Sequence, residues 1–448
     1  MHKLLVSLFF LITIVSQAQT TNLVSGPWAG NVQLRTATIC AEVAPNVKLV
    51  AVQYAKRNIP SAKKTVLYKG ALGNDFNPVK IDLNGLEVNT EYEYALILDG
   101  KTIGVSFPTR FTTQTLWQFR MPAPDFSFLA GSCAYFNEPK YDRPGKPYGN
   151  DSSIFKTMTQ VPAAFHIWMG DNWYTREVDF GSAWGLNYRA SRDRAHSILQ
   201  PFMAAMPQYA IWDDHDYGPN DAGKSFILKD ESRTIFKNYT ANPSYGQDDK
   251  GIYSKISYSD VDILLTDDRY FRSEPGIADS VDGTLNKEKT FFGPQQMEWI
   301  QNELLFSNAT FKIIVVGSQV LNGMNKFECL RNYPFEYKQL MDFINDRKIK
   351  GIVFFSGDRH HSEVIKLERP GAYTLFDVTI SPYTAGVSAV RGDEAGNPNR
   401  EKNTLVELQN FGKITVLGAP KARKLKVEFV GIKGNNLAEW TVSEKELQ

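Results

Sequence analysis

Residues 164–174 read AFHIWMGDNWY. An unbroken apolar and aromatic run, interrupted only by His166, stops abruptly at Gly170 and Asp171. Such a run is short enough for a strand, and its lack of polar alternation fits a strand buried on both faces. Five further runs have the same form: FSFLAGSC (126–133), QYAIWDDHD (208–216), VDILLTDD (261–268), FKIIVVGSQ (311–319) and GIVFFSGD (351–358). Between them SIFKTMTQ (153–160), SRDRAHSILQPFMAAM (191–206) and GPQQMEWIQNELLF (293–306) carry helical spacing. Strands alternating with helices predict an α/β layer structure. In such sheets ligands bind outside the carboxyl ends of the strands, so the ends of these runs are where chemistry is expected.

Outward from this block, the chain begins MHKLLVSLFFLITIVSQAQT (1–20), with Lys3, an apolar stretch from Leu4 to Val15 and small residues around Ala18. This is the pattern of a signal peptide over residues 1–19 and predicts export, periplasmic or extracellular. No later segment approaches the roughly 20 apolar residues of a membrane-spanning helix. Residues 20–118 hold short β-rich runs, among them QLRTATICAEV (33–43), LVAVQYA (49–55) and EYEYALILDG (91–100), which predict a small all-β sandwich domain. Tyr92, at a strand start after an Asn-Thr turn, resembles the tyrosine corner of fibronectin-type and immunoglobulin-like sandwiches. The prolines of QFRMPAPDF (118–126) mark the boundary to a second domain over 119–448. From Asn403 the runs NTLVELQ, KITVLGA and LKVEFVGI return to short strands, expected to close a sheet rather than form a third domain.

Fifty basic against 49 acidic residues leave a net charge of +1, which implies neither a nucleic-acid partner nor an anionic membrane. Three cysteines, Cys40, Cys133 and Cys329, cannot all pair within one chain and do not make a disulfide scaffold. Cys40 reads as a buried thiol.

The strand ends read GSC (131–133), GDNWY (170–174), WDDHDYGPND (212–221), TDDRY (266–270), GSQ (317–319) and SGDRHHSE (356–363). Five of the six carry a group able to bind a metal. One aspartate after a strand is ordinarily a cap or turn former. All of these together, with His215, His360 and His361 out of six histidines in the chain, point to a site. His166 and His196 read as structural.

The order GSC, GD with a tyrosine three residues after the aspartate, DDHD and GDRH resembles the PhoD-like alkaline phosphatases and phosphodiesterases, a branch of the calcineurin-like metallophosphoesterases. The resemblance covers nearly the whole chain and implies a sandwich of two mixed β-sheets flanked by helices behind the small β-domain. It implies a ferric ion held by Cys133, Asp171, Tyr174 and His360, with Asp171 bridging to calcium that takes Asp214 and Asp358 as further ligands, in a binuclear or larger cluster. His215 matches the histidine that faces the leaving group. Gln319 stands where other branches place a metal-binding histidine, and Asp214 where they place an asparagine.

The residue types make chemical sense on their own terms. Hydrolysis of an anionic phosphate ester needs its oxygens neutralised and a nucleophile made at ordinary pH, and two cations about 3.5–4 Å apart do both. A phenolate, whose phenol has a pKa of about 10, survives at neutral pH only on a strongly acidic metal, which favours iron(III); carboxylates and waters suit calcium. Arg269 and Arg359 are candidates to bind phosphate oxygens, or else to pair with neighbouring carboxylates such as Asp267, Asp268 and Glu363. Asn220 and Asp221 either extend the calcium site or form a turn, the turn being favoured, and His361 is expected to support His360. Trp168, Trp173, Trp184 and Trp212 read as packing.

The expected activity is hydrolysis of phosphomonoesters or phosphodiesters, of small molecules or polymers, by metal-bound hydroxide with no covalent intermediate. The expected catalytic residues are Asp171, His215 and Arg269. Two competing readings remain at the level of sequence: a hydrolase with Cys133 as nucleophile and His215 or His360 as base, and a catalytically inactive surface-binding protein.

Overall fold

A computed structural model describes residues 22–448. The signal-peptide expectation therefore lies outside the described residues. The N-terminal part is all β. One sheet joins Leu23–Gly30, Thr36–Val43 and Asn77–Asn84; the other joins Lys64–Leu67, Val50–Lys56, Glu91–Leu98 and Lys101–Thr102, with Arg110–Thr112 also paired to Glu91–Leu98. Side chains alternate in and out along Asn77–Asn84 and Glu91–Leu98, and the inward set of both sheets, including Ile39, Ile81, Val52 and Leu96, forms one core. Tyr92 is buried there, and its hydroxyl accepts the backbone N–H of Glu87 at 2.9 Å, the contact a tyrosine corner requires.

The rest of the chain builds two six-stranded mixed sheets. The first runs in the order Gln208–Ile211, His166–Met169, Phe126–Gly131, Asn410–Leu417, Lys424–Gly431, Asn436–Ser443. Its first three strands are parallel, and the last three form an antiparallel meander joined to Phe126–Gly131. The second runs Ser254–Tyr258, Val261–Leu265, Phe311–Val316, Ile352–Ser356, Ala372–Thr379, Glu363–Arg369, with the four inner strands parallel and both edge strands antiparallel.

Phe128, Ile167 and Ile414 of the first sheet share one buried cluster with Ile263, Val315 and Phe355 of the second, and the rings of Phe128 and Phe355 lie 6.3 Å apart. Leu264, Ile314 and Phe354 point the other way. They pack on Met297 and Ile300 of helix Gly293–Phe306 and on Leu340 and Ile344 of helix Pro334–Asp346. Strands covered on both faces explain the unbroken apolar runs, since each buried aliphatic or aromatic side chain contributes about 1.5–3 kcal/mol.

All six runs form strands, and residues 410–443 close a sheet as expected. Two expectations need correction. NTLVELQ is not a strand; only Val406 makes an isolated bridge, to Ser362. The run SRDRAHSILQPFMAAM is split between helices Ala183–Arg194 and Leu199–Ala205. The first sheet is mixed, and its distal antiparallel strands alternate in burial. Among the described residues no helix is long and apolar enough to cross a membrane.

Candidate active site

The parallel strands of both sheets end at a common point. Glycine makes this approach possible: a Cβ on Gly357 would lie 2.7 Å from both Ser132 Oγ and the Met169 carbonyl, and one on Gly170 would lie 2.6 Å from Asp213 Cβ. The polar residues that follow are held in strained backbone. Cys133 (φ 65°), Asp171 (54°), Asp358 (64°) and His360 (57°) all adopt the left-handed region that L-residues rarely enter. Strain of this kind persists where surrounding structure fixes it, and it concentrates at functional sites.

Cys133 is fully buried, and its Sγ lies 3.3 Å from Ser132 Oγ, 3.2 Å from Ser381 Oγ and 3.5 Å from Asp171 Oδ2. Burial pushes the thiol up to about 11. Ser381, 248 positions from Cys133, also accepts the His360 backbone N–H at 3.0 Å, so one hydroxyl ties the two together. The Tyr174 hydroxyl donates to Asp171 Oδ2 at 2.8 Å and lies 3.3 Å from His360 Nε2. The other imidazole nitrogen, Nδ1, lies 2.5 Å from the Gly386 carbonyl. That oxygen can only accept, so Nδ1 carries the proton and the Nε2 lone pair faces Tyr174 and Asp171.

Asp214 sits in a short helix, Asp214–Tyr217, capped by Asp213. Asp216 clamps this turn to the Asp171 loop by accepting the N–H groups of Asn172 (2.8 Å) and Trp173 (3.2 Å). The Asp214 carboxylate accepts its neighbour His215 N–H at 3.0 Å and the Asp221 N–H at 2.8 Å. His215 is partly exposed, stacks on the Tyr174 ring with centroids 4.1 Å apart, and places Nε2 4.0 Å from Asp214 Oδ2.

Ligand atoms of Cys133, Asp171 and His360 all lie within 4.8 Å of one another, as do those of Asp171, Asp214 and His215. Asp171 is common to both groups. Burial, then the nearby Cys133, Asp214, Asp216 and Asp358, push its carboxyl well above the usual range. Burial and then Glu328 push Asp358 up to about 7. Donors that repel one another in this way fit a site for multivalent cations, whose charge relieves the repulsion.

The arginine expectations change. Arg269 is fully buried; its guanidinium bonds Asp213 (Nε to Oδ1, 2.5 Å) and grips Glu328 with both terminal nitrogens, one at 2.9 Å. Its fork is saturated and faces no solvent, so in this structure it holds Asp213 and Glu328 beside Asp214. Arg359 donates from Nη2 to both carboxylate oxygens of Glu394, at 3.0 and 2.8 Å. Gln319 is buried with every bond used inside the protein: it donates to Glu363 (2.8 Å) and Thr379 (2.9 Å) and accepts from Asn322 and Asn325. His361 turns toward Glu363, at 3.6 Å, rather than toward His360. Asp221 lies in a turn at φ 60°. Trp168, Trp173 and Trp212 are buried, whereas Trp184 is exposed and stacks on Tyr188. Sequence reading missed Ser381, Tyr148, Gly386 and Glu328, because none ends a strand of the recognised runs.

A model of the PhoD-like phosphatase family matches residues 128–422, from the first strand of this constellation past its last ligand. The chain belongs to the PhoD-like phosphatase family. Alkaline phosphatase D of Bacillus subtilis (strain 168) is 21% identical over 345 residues, covering 67% of this chain and 55% of that protein. The chain thus spans about half the length of that curated relative. A solved structure of PhoD superposes with a TM-score of 0.73 at 18% identity, over 95% of this chain and 92% of that one, a likeness of fold.

Proposed function

We propose that this PhoD-like chain is an exported, metal-dependent hydrolase of phosphate esters, with cations held by Cys133, Asp171, Tyr174, Asp214, Asp358 and His360. One observation carries the reading: a single carboxylate, Asp171, belongs to two ligand groups at once, within 4.8 Å of Cys133 and His360 on one side and of Asp214 and His215 on the other. That supports Asp171 as a bridging ligand. When bound, a pair of cations neutralises the phosphate oxygens and acidifies a water.

The protein's own groups do the rest. Burial holds the Cys133 thiol and the Tyr174 phenol protonated in the bare chain, so only a strongly Lewis-acidic ion binds both as anions, which supports iron(III) at that end. Asp214 and Asp358 offer hard oxygen donors, which supports calcium at the other. His215, with Asp214 beside its Nε2, protonates the leaving oxygen. Arg269 keeps the carboxylates behind Asp214 in place. The two mixed sheets correspond in this reading to the metallophosphoesterase sandwich, over residues 119–448, with residues 20–118 as a fibronectin-like accessory domain.

A nucleophilic role for Cys133 fares badly, because a thiol fully buried and pushed up to about 11 has little thiolate and no access. An inactive binding protein would not need the strained ligand geometry. Elemental analysis of purified protein, with hydrolysis of p-nitrophenyl phosphate and its bis ester before and after chelation, tests the proposal. Absence of bound metal, or activity that survives complete chelation, would sink it.

A further inference from the structure

Beside the metal-ligand constellation, and separated from it by Tyr148 and Gly386, lies an open cleft of about 650 Å³. Tyr148 and Gly386 belong to both places. They line the cleft, yet the Tyr148 hydroxyl lies 3.0 Å from His360 Nδ1 and the Gly386 carbonyl 2.5 Å from the same nitrogen. The cleft therefore begins one side chain away from the candidate ligands.

Its charge is opposite to theirs. The cleft lining contains Lys146 and Lys433 and no acidic residue, and among the described residues neither ammonium has a carboxylate within 4.0 Å. Val387 and Leu437 supply apolar wall to the same cleft. His215, assigned to the leaving oxygen, stacks on the Tyr174 ring, and neither of the two lines the cleft. An arm lying in the cleft is therefore assigned as the retained arm, not the one that leaves beside His215.

Resting on the phosphoesterase reading, we propose that this cleft is a subsite for the retained ester arm of a phosphodiester, and that it selects arms ending in an anionic group. A monoester has no such arm. The apolar wall packs the carbon chain while Lys146 and Lys433 receive its terminal charge.

The experiment compares kcat/KM, in the metal-loaded enzyme, for two p-nitrophenyl phosphodiesters whose retained arms are carboxymethyl (anionic) and choline (cationic), with p-nitrophenyl phosphate alongside. The carboxymethyl-to-choline ratio is expected to exceed about tenfold in the native chain, to fall about tenfold in Lys146→Ala/Lys433→Ala, and to invert in Lys146→Glu/Lys433→Glu. Raising NaCl from about 0.05 to 0.5 M shrinks the native ratio, because the lysines are exposed and screened. Comparing ratios within one variant removes any general effect on folding or turnover. Hydrolysis of all three substrates with the same arm ratio in every variant overturns the subsite alone. Failure to hydrolyse any of them overturns the phosphoesterase reading and the subsite with it.

Discussion

Glu42 offers a test of how the small β-domain is fastened to the catalytic part. It lies on the strand Thr36–Val43, is 2% exposed, and accepts a hydrogen bond from Ser191 of helix Ala183–Arg194 at 2.8 Å, with Tyr239 of helix Lys229–Tyr239 beside it. Burial pushes its carboxyl from 4.5 to about 6, while the Ser191 and Tyr239 hydroxyls pull the other way. A carboxyl whose folded pKa lies above its unfolded one favours folding fully only below about 4.5, and this contribution is lost as pH rises through about 6. The gap makes the ionised group unfavourable by up to about 2 kcal/mol at about pH 8, and by about 0.8 kcal/mol at about pH 5. Glu42→Gln removes the charge and keeps an acceptor for Ser191. The melting temperature should therefore rise on the order of 3 °C at about pH 8, with less than half that gain at about pH 5. Circular dichroism melts of the two proteins at both pH values decide the matter. A loss at the higher pH, or an equal gain at both, would refute the assignment of an ionised, buried Glu42 to this contact.

Asp171→Asn should lower kcat/KM on p-nitrophenyl phosphate by at least about a hundredfold while leaving the far-ultraviolet spectrum intact; the same change should raise the melting temperature of metal-free protein, because burial and four neighbouring groups oppose the Asp171 charge. Adding iron(III) and calcium to metal-free protein should stabilise it by about 2.7 kcal/mol for each ion once its free concentration reaches roughly a hundred times its Kd, read as a melting shift that chelator reverses. Arg269→Ala should destabilise by about 3–5 kcal/mol in denaturant unfolding, since it strands Asp213 and Glu328 as buried unpaired anions; Arg269→Lys, lacking the planar fork, should recover only part of that. Iodoacetamide should modify native Cys133 far more slowly than the same residue in urea, as counted by peptide mass, because burial both shields the thiol and raises its pKa.

Much of the fold was legible because it rests on local signals. An apolar run closed by glycine or aspartate reads as a buried strand wherever it occurs, and all six such runs form one; GPQQMEWIQNELLF matches the helix Gly293–Phe306 residue for residue. Strands Glu363–Arg369 and Asn436–Ser443 escaped notice because both are amphipathic at edges or distal positions, with charged side chains that blur the period. NTLVELQ misled for the opposite reason: its alternation is real, but Val406 bridges only Ser362 and no sheet edge takes up the rest.

Residue types and their order were therefore fixed by the chain itself: which side chains stand at strand ends, which of them can ligate a cation, and that thiol, phenol, carboxyl and imidazole occur together. Tertiary structure alone decided their duties. Arg269 and Arg359 carry the same side chain at similar places, yet one is locked between Asp213 and Glu328 and the other on Glu394. The hydroxyl joining Cys133 to His360 comes from Ser381, and the Nδ1 proton is fixed by a carbonyl at Gly386. Hydrogen bonds act over about 3 Å, so which partner a polar group finds depends on how distant strands are brought together, and no local pattern encodes that.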